Sequence, residues 1–199
     1  MTKTSRKHKT VRHFHDPGDV HQLTFSCFRR DPLLTNEADC VHLADAIDRA
    51  LILHGLNLSA FVFMPEHAHL LVWPTNPKKA EISGFLKSLK MSSSSKCKAR
   101  MKREKDEWLA KLTIEERPGK YCFRFWQEGP GHDRNLKTPA AIEGSMDYIH
   151  TNPVKRGLCV RAEDWHWSSY RHYLADPSKR PPDKPTFTPL PADFVERVG

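Results

Sequence analysis

No apolar run in this sequence approaches the ~20 residues that a helix needs to span a bilayer. The stretch Met1 to Arg12 is basic and lacks the apolar segment of a secretory signal. The five cysteines (Cys27, Cys40, Cys97, Cys122 and Cys159) include no Cys-x-x-Cys pair. An odd, scattered set makes neither a disulfide nor a zinc framework and reads as reduced thiols in a cytoplasmic protein. Acidic residues are in deficit, 24 against 32 lysines and arginines, which leaves a formal charge of +8. That balance favours a polyanionic partner, nucleic acid first. A chain of 199 residues, 38% hydrophobic, suits one compact domain with extended ends.

Residues 1–18 are basic, end at the turn signal Asp16-Pro17-Gly18, and read as a mobile arm. Val20 to Phe28 alternates as a strand, with Leu23, Phe25 and Cys27 on one face. A helix follows, capped by Thr35 or Asn36, carrying Val41, Ala44, Ile47 and Leu51, and stopping near Gly55. Leu58 to Phe63 and His69 to Trp73 form two strands joined through Met64-Pro65-Glu66 in a hairpin or tight return. A second helix is predicted from about Lys79 to Arg103, with Ser92 to Ser95 as a weakly helical stretch where a break or a continuous run is open. Lys120 to Gln127 reads as the fourth strand, ended by Gly129-Pro130-Gly131. A third helix begins at Thr138 or Pro139 and ends at Asn152-Pro153. Residues 176–199 form a proline-rich tail beyond a domain spanning 19–175. The order predicts an α+β fold: a split β-α-β, ferredoxin-like antiparallel sheet with helices on one face and an added C-terminal helix.

Chemistry concentrates in two places. In MPEHAHLLV, His67 and His69 lie two apart in a strand, so both imidazoles project from one face and can address one ion, while Ala68 faces the core. The plain alternative is two histidines at a strand edge. Glu66 either hydrogen-bonds one of them or sits in the turn. In YIHTNPVKRGL, Tyr148 and Asn152 are four apart and share a helical face. A phenol is a poor nucleophile until a cation favours its phenolate, and an asparagine one turn on can orient it or give a metal an oxygen. The alternative is a tyrosine that only packs. His150 points to another side and reads as a surface residue.

Together with EDWHWSSY at Glu163 to Tyr170, these motifs resemble the REP-associated tyrosine transposases, relatives of the single-tyrosine HUH transposases of insertion sequences (U is a hydrophobic residue). The resemblance covers roughly Asp19 to Tyr173. It implies a ferredoxin-like fold in which His67 and His69 bind a divalent metal, Mg²⁺ or Mn²⁺, with Tyr148 as nucleophile in a facing helix. Asn152 stands where insertion-sequence relatives usually carry a glutamine ligand. The implied reaction is transesterification through a 5′-phosphotyrosine on single-stranded or hairpin DNA of palindromic repeats, by a monomer or homodimer.

The DNA-binding surface is expected along the second helix, where Lys87, Lys90, Lys96, Lys98, Arg100, Lys102 and Arg103 outnumber acids. Arg134, Lys155 and Arg156 lie near the site residues in sequence and are candidate phosphate contacts. The arm (Lys3, Arg6, Lys7, Lys9, Arg12) and Trp126 are further candidates, the tryptophan by base stacking. Trp165 and Trp167 read as packing. The rival class is a nucleic-acid binder that keeps the fold without the chemistry. A hydrolase of small substrates is disfavoured by the charge and by the lack of an acidic ligand cluster.

Overall fold

Residues 19–75, 81–174 and 184–190 are described by the computed structural model of this chain. The arm at 1–18, the lysines at 78 and 79 and most of the tail lie outside the described residues.

Alternation in the first segment gives strand β1, Val20–Ser26, whose Leu23 and Phe25 enter one core and Val20 another. Helix α1, Glu37–His54, begins where Asn36 accepts the amides of Ala38 and Asp39, and stops at Gly55 in the left-handed region (φ 64°). β2, Leu56–Met64, returns through the two-residue turn Pro65-Glu66 into β3, His67–Pro74. α2, Ile82–Glu104, runs unbroken through the serines. Within the helix Ser93 folds its hydroxyl back onto the Leu89 carbonyl, and its oxygen also accepts from the Trp126 indole, so its polar atom is satisfied though buried. A short helix α3, Trp108–Lys111, leads into a separate hairpin of β4, Thr113–Arg117, and β5, Lys120–Phe123.

The fourth strand of the main sheet is therefore not Lys120 to Gln127. It is β6, His132–Leu136, whose polar sequence HDRNL hides it because only Leu136 is buried. Gly131 (φ 87°) lets the loop before β6 close on β1, since a Cβ there would meet the Thr24 carbonyl oxygen at 2.3 Å.

The strand order is β2-β3-β1-β6, each neighbour antiparallel, and the α+β class read from the element order holds. One face of this sheet buries Leu23, Phe25, Phe63, Ala68, Leu70 and Val72 against α1 and α2. The other face carries Val20, Ala60, Val62, Met64, Leu71 and Leu136 and packs on Ile142 and Ile149 of α4, Pro139–Lys155. A register shift between Leu58 and Ala60 moves β2 from one alternation to the other, so Leu58 and Ala60 enter opposite cores.

Thr138 caps α4 through the Ala141 amide, and proline stands at its first position. The helix does not end at Asn152. Pro153 lies inside it, buried, and the last turn is closed by Arg156 N–H to the Asn152 carbonyl and Leu158 N–H to the Pro153 carbonyl. A helical residue before proline is disfavoured rather than forbidden, and two buried neighbours hold it here.

The third motif finishes the edge of β2. Phe63 N–H donates to the Trp167 carbonyl, Phe61 N–H to Ser169 Oγ, and the tail returns at Thr188 to the Leu58 carbonyl. An otherwise open edge is thereby covered. Trp167 stacks on Phe63 and Trp165 donates its indole N–H to the Phe63 carbonyl, in line with a packing role for both.

Candidate metal and tyrosine site

Three elements meet on the α4 side of the sheet. β3 places His67 and His69 there because their alternation matches that of Leu71 in the α4-side core. β1 contributes Thr24, directly opposite His69, and α4 brings Tyr148 and Asn152 on one face.

The Nε2 atoms of His67 and His69 face each other at 2.9 Å, and the carboxamide of Asn152 lies 3.3 Å from the same His69 nitrogen. Both Nδ1 atoms have polar neighbours behind them: Thr24 Oγ at 2.7 Å from His69, and the Glu66 carboxylate at 3.1 Å from His67. Tyr148 sets its ring edge-on to His69, centroids 5.2 Å apart, and is 41% exposed. Lys155 holds its ammonium 5.9 Å from that ring.

Burial favours the neutral form of both imidazoles. Burial drives His69 down to about 3, helped by His67. Burial also lowers His67, against an opposing pull from Glu66. Burial alone would raise the Glu66 carboxyl, but His67 and Arg156 outweigh it and hold it below the usual range.

Neutral imidazole is the form that binds metals. In the tautomers that carry the proton on Nδ1, beside Thr24 and Glu66, the two Nε2 lone pairs confront one another, a repulsion that a cation between them would relieve. Their 2.9 Å separation is close to the span of two adjacent corners of an octahedron with bonds of about 2.1 Å. The described residues hold no cluster of three or more His, Cys, Asp and Glu side chains suited to a metal. Two imidazoles and one carboxamide are the donors that could hold a metal here, with other positions left to water and phosphate oxygens. That set fits Mn²⁺ well, and Mg²⁺ through its preference for retained water.

The basic residues divide. Arg100 was expected to meet DNA, but it is 2% exposed, bound by both carboxylate oxygens of Asp39 at 2.8 Å and by Glu104 and Asp106 at 2.9 Å. Its position in a charge run concealed that it faces α1. Lys87, Lys98, Lys102 and Arg103 are exposed, but α2 packs on the sheet face opposite the histidines. Lys96 approaches Asp45 at 3.6 Å, and Lys90 donates to the Gly129 carbonyl with its ammonium pushed down to about 8 by burial. Lys87 and Lys90 line an open groove of about 740 Å³ between α2 and residues 123–130. Trp126, a stacking candidate, is buried against Phe25 and lies in the core.

Arg134, Lys155 and Arg156 do gather near the site. Arg134 sits opposite Gln22 and His132 opposite Thr24, on the face that carries His69. His132 and Arg30 were missed by the sequence reading because neither lies in a recognisable motif. His150 was read as a surface residue. It is buried, its Nε2 2.8 Å from Ser169 Oγ, and so joins the tyrosine motif to the WHWSSY motif.

The family described as "Transposase IS200 like" matches residues 20–114, which include both histidines and stop short of α4. Over 147 residues the chain is 26% identical to a REP-associated tyrosine transposase of Escherichia coli (strain K12), covering 74% of this chain and 73% of that protein. It also superposes on the solved structure of a REP-associated tyrosine transposase bound to a REP hairpin, with TM-score 0.65, 20% identity and coverage of 87% and 89% of the two chains. At that identity the superposition speaks for the fold. Family match, sequence relative and fold point the same way, and the chain is similar to the REP-associated tyrosine transposases, the resemblance that its motifs carry.

Proposed function

We propose that this chain is a single-strand DNA endonuclease and strand transferase that works through a covalent 5′-phosphotyrosine on Tyr148. The observation that carries the reading is convergence: Asn152 reaches His69 across 83 residues of sequence, and Tyr148 meets the same imidazole. A tyrosine that only packed would have no reason to stand beside one of two buried, facing histidines while staying 41% exposed.

In this reading the Tyr148 oxygen attacks phosphorus, the bond to the 3′ oxygen breaks, and the phenolic proton is passed through solvent to that oxygen. A later 3′-hydroxyl reverses the exchange, so the energy of the phosphodiester is kept in the tyrosyl ester. His67, His69 and Asn152 would hold the divalent metal, which when bound supplies charge neutralisation at the phosphate oxygens. Lys155 adds positive charge beside the phenol. All these groups come from one chain, which favours cleavage in cis by a monomer. The substrate that fits is hairpin-forming repeat DNA, in keeping with the REP hairpin bound by the structural relative.

The test is cleavage of labelled single-stranded hairpin DNA with Mn²⁺, with chelator, and with Tyr148→Phe. A metal-dependent covalent protein–DNA band that disappears in Tyr148→Phe supports the reading. Binding without any band across metals and substrates would leave the non-catalytic binder in its place.

A further inference from the structure

The Glu66 carboxylate stands at a junction that the reaction above does not use. It is 8% exposed, in the turn between β2 and β3, and Oε1 takes three neighbours. These are His67 Nδ1 at 3.1 Å, Arg30 Nη2 at 3.1 Å and Arg156 Nη2 at 2.9 Å. Each comes from a different part of the site: the histidine strand, the loop after β1, and the cap of the tyrosine helix. The turn itself is pinned by Cys27 N–H to the Glu66 carbonyl and Leu34 N–H to the Pro65 carbonyl, both 2.9 Å.

Two further features argue that this junction is more than a surface ion pair. Arg29 and Arg30 both adopt left-handed backbone (φ 55° and 59°), a conformation that costs a non-glycine residue free energy and turns Arg30 toward the carboxylate. The two arginine side chains remain 61% and 47% exposed and each meets Glu66 through one Nη2, which leaves further donors of each five-donor guanidinium for another ligand.

We infer that Glu66 is a positioning residue: it orients His67 through Nδ1 and holds Arg30 and Arg156 as a clamp for a DNA phosphate next to the one cut. The carboxylate 3.1 Å from Nδ1 favours the tautomer with its proton there, which leaves Nε2 for the metal, as carboxylates behind ligand histidines do elsewhere. The arginines share one buried negative charge, so each keeps donors for a second anion, and the bidentate geometry of guanidinium suits phosphate. This inference rests on the metal-assisted reading proposed above.

The experiment measures Mn²⁺ binding to the full chain without DNA, from the paramagnetic signal of the free ion, with no need of turnover. Glu66→Ala is expected to bind Mn²⁺ 10- to 100-fold more weakly than the native chain. Glu66→Gln, which keeps an acceptor oxygen but not the charge, should recover part of the loss. Thermal unfolding without metal accompanies each variant, and Glu66→Gln carries the test if Glu66→Ala does not fold. In the second arm, hairpin DNA is bound in chelator by Arg156→Met and Arg30→Met, and each should lower the salt dependence by about one phosphate contact. Mn²⁺ affinity of the Glu66 variants within twofold of native, or unchanged salt dependence in both arginine variants, overturns the inference. If His67→Ala binds Mn²⁺ as well as the native chain, the metal reading falls and takes this inference with it.

Discussion

The Thr24 hydroxyl lies 2.7 Å from Nδ1 of His69, on the other side of the ring from the nitrogen that faces His67. Thr24 and His69 are register partners on neighbouring central strands, so the contact is fixed by the sheet and not by a flexible loop. Thr24→Val keeps shape and strand preference while removing the oxygen. The expected result is a 10- to 100-fold loss of Mn²⁺ affinity with an unfolding temperature close to native. Calorimetric metal titration of both chains checks this, and equal affinities would leave Thr24 a packing residue only.

Arg100 makes the opposite kind of prediction. It is enclosed by Asp39, Glu104 and Asp106, and its removal leaves the buried Asp39 carboxylate without its partner. Arg100→Ala is expected to cost about 3–5 kcal/mol of stability, because an uncompensated buried charge is the expensive product. Urea unfolding measures it. Lys102→Ala, two residues on and exposed, should change stability by less than about 0.5 kcal/mol.

What the sequence showed and what it hid follow from period and burial. The histidine strand, the cap at Asn36, the stop at Gly55 and the α4 start at Thr138 were legible because each is a local device with a fixed residue signature. β6 was hidden because four of its five residues are polar and only Leu136 packs. Its place was given instead to the aromatic run Lys120 to Gln127, whose aromatics divide between a side hairpin and the core under α2. At the site, residue types and spacing, together with the resemblance to the REP-associated transposases, made His67, His69, Asn152 and Tyr148 the candidates. Glu66 was within reach because it adjoins His67 in sequence, but Thr24 and Arg30 could not be found that way, because they come to the histidines only once the sheet order brings β1 beside β3.

That sheet order also predicts where DNA runs. Arg134 and His132 stand on the histidine face of the edge strand β6, whereas the basic face of α2 lies across the sheet. Arg134→Ala is expected to weaken hairpin binding and lower the slope of log K against log salt by about one, with no change in unfolding temperature. Single alanine substitutions at Lys98 or Lys102 should have smaller effects. Filter binding over a salt series distinguishes the two surfaces, and a larger loss at the α2 lysines would move the DNA path to the α2 groove.

Acid stability gives the last prediction, through His150. Burial lowers this imidazole from 6.5 to about 4, with Asp147 only partly opposing. The unfolded chain therefore takes up the proton first as pH falls, so the folded state is favoured above pH 6.5 and loses that advantage between 6.5 and about 4. The whole effect is at most about 3 kcal/mol, and within the window it should approach about 1.4 kcal/mol per pH unit. His67 and His69 act in the same direction, so the group is isolated by difference. His150→Gln keeps a hydrogen-bonding partner for Ser169 but cannot titrate. Urea unfolding of both chains from pH 7 to 4 should show a shallower acid loss in His150→Gln. Parallel profiles would mean that His150 takes up its proton without penalty, and that its contact with Ser169 survives in the charged form.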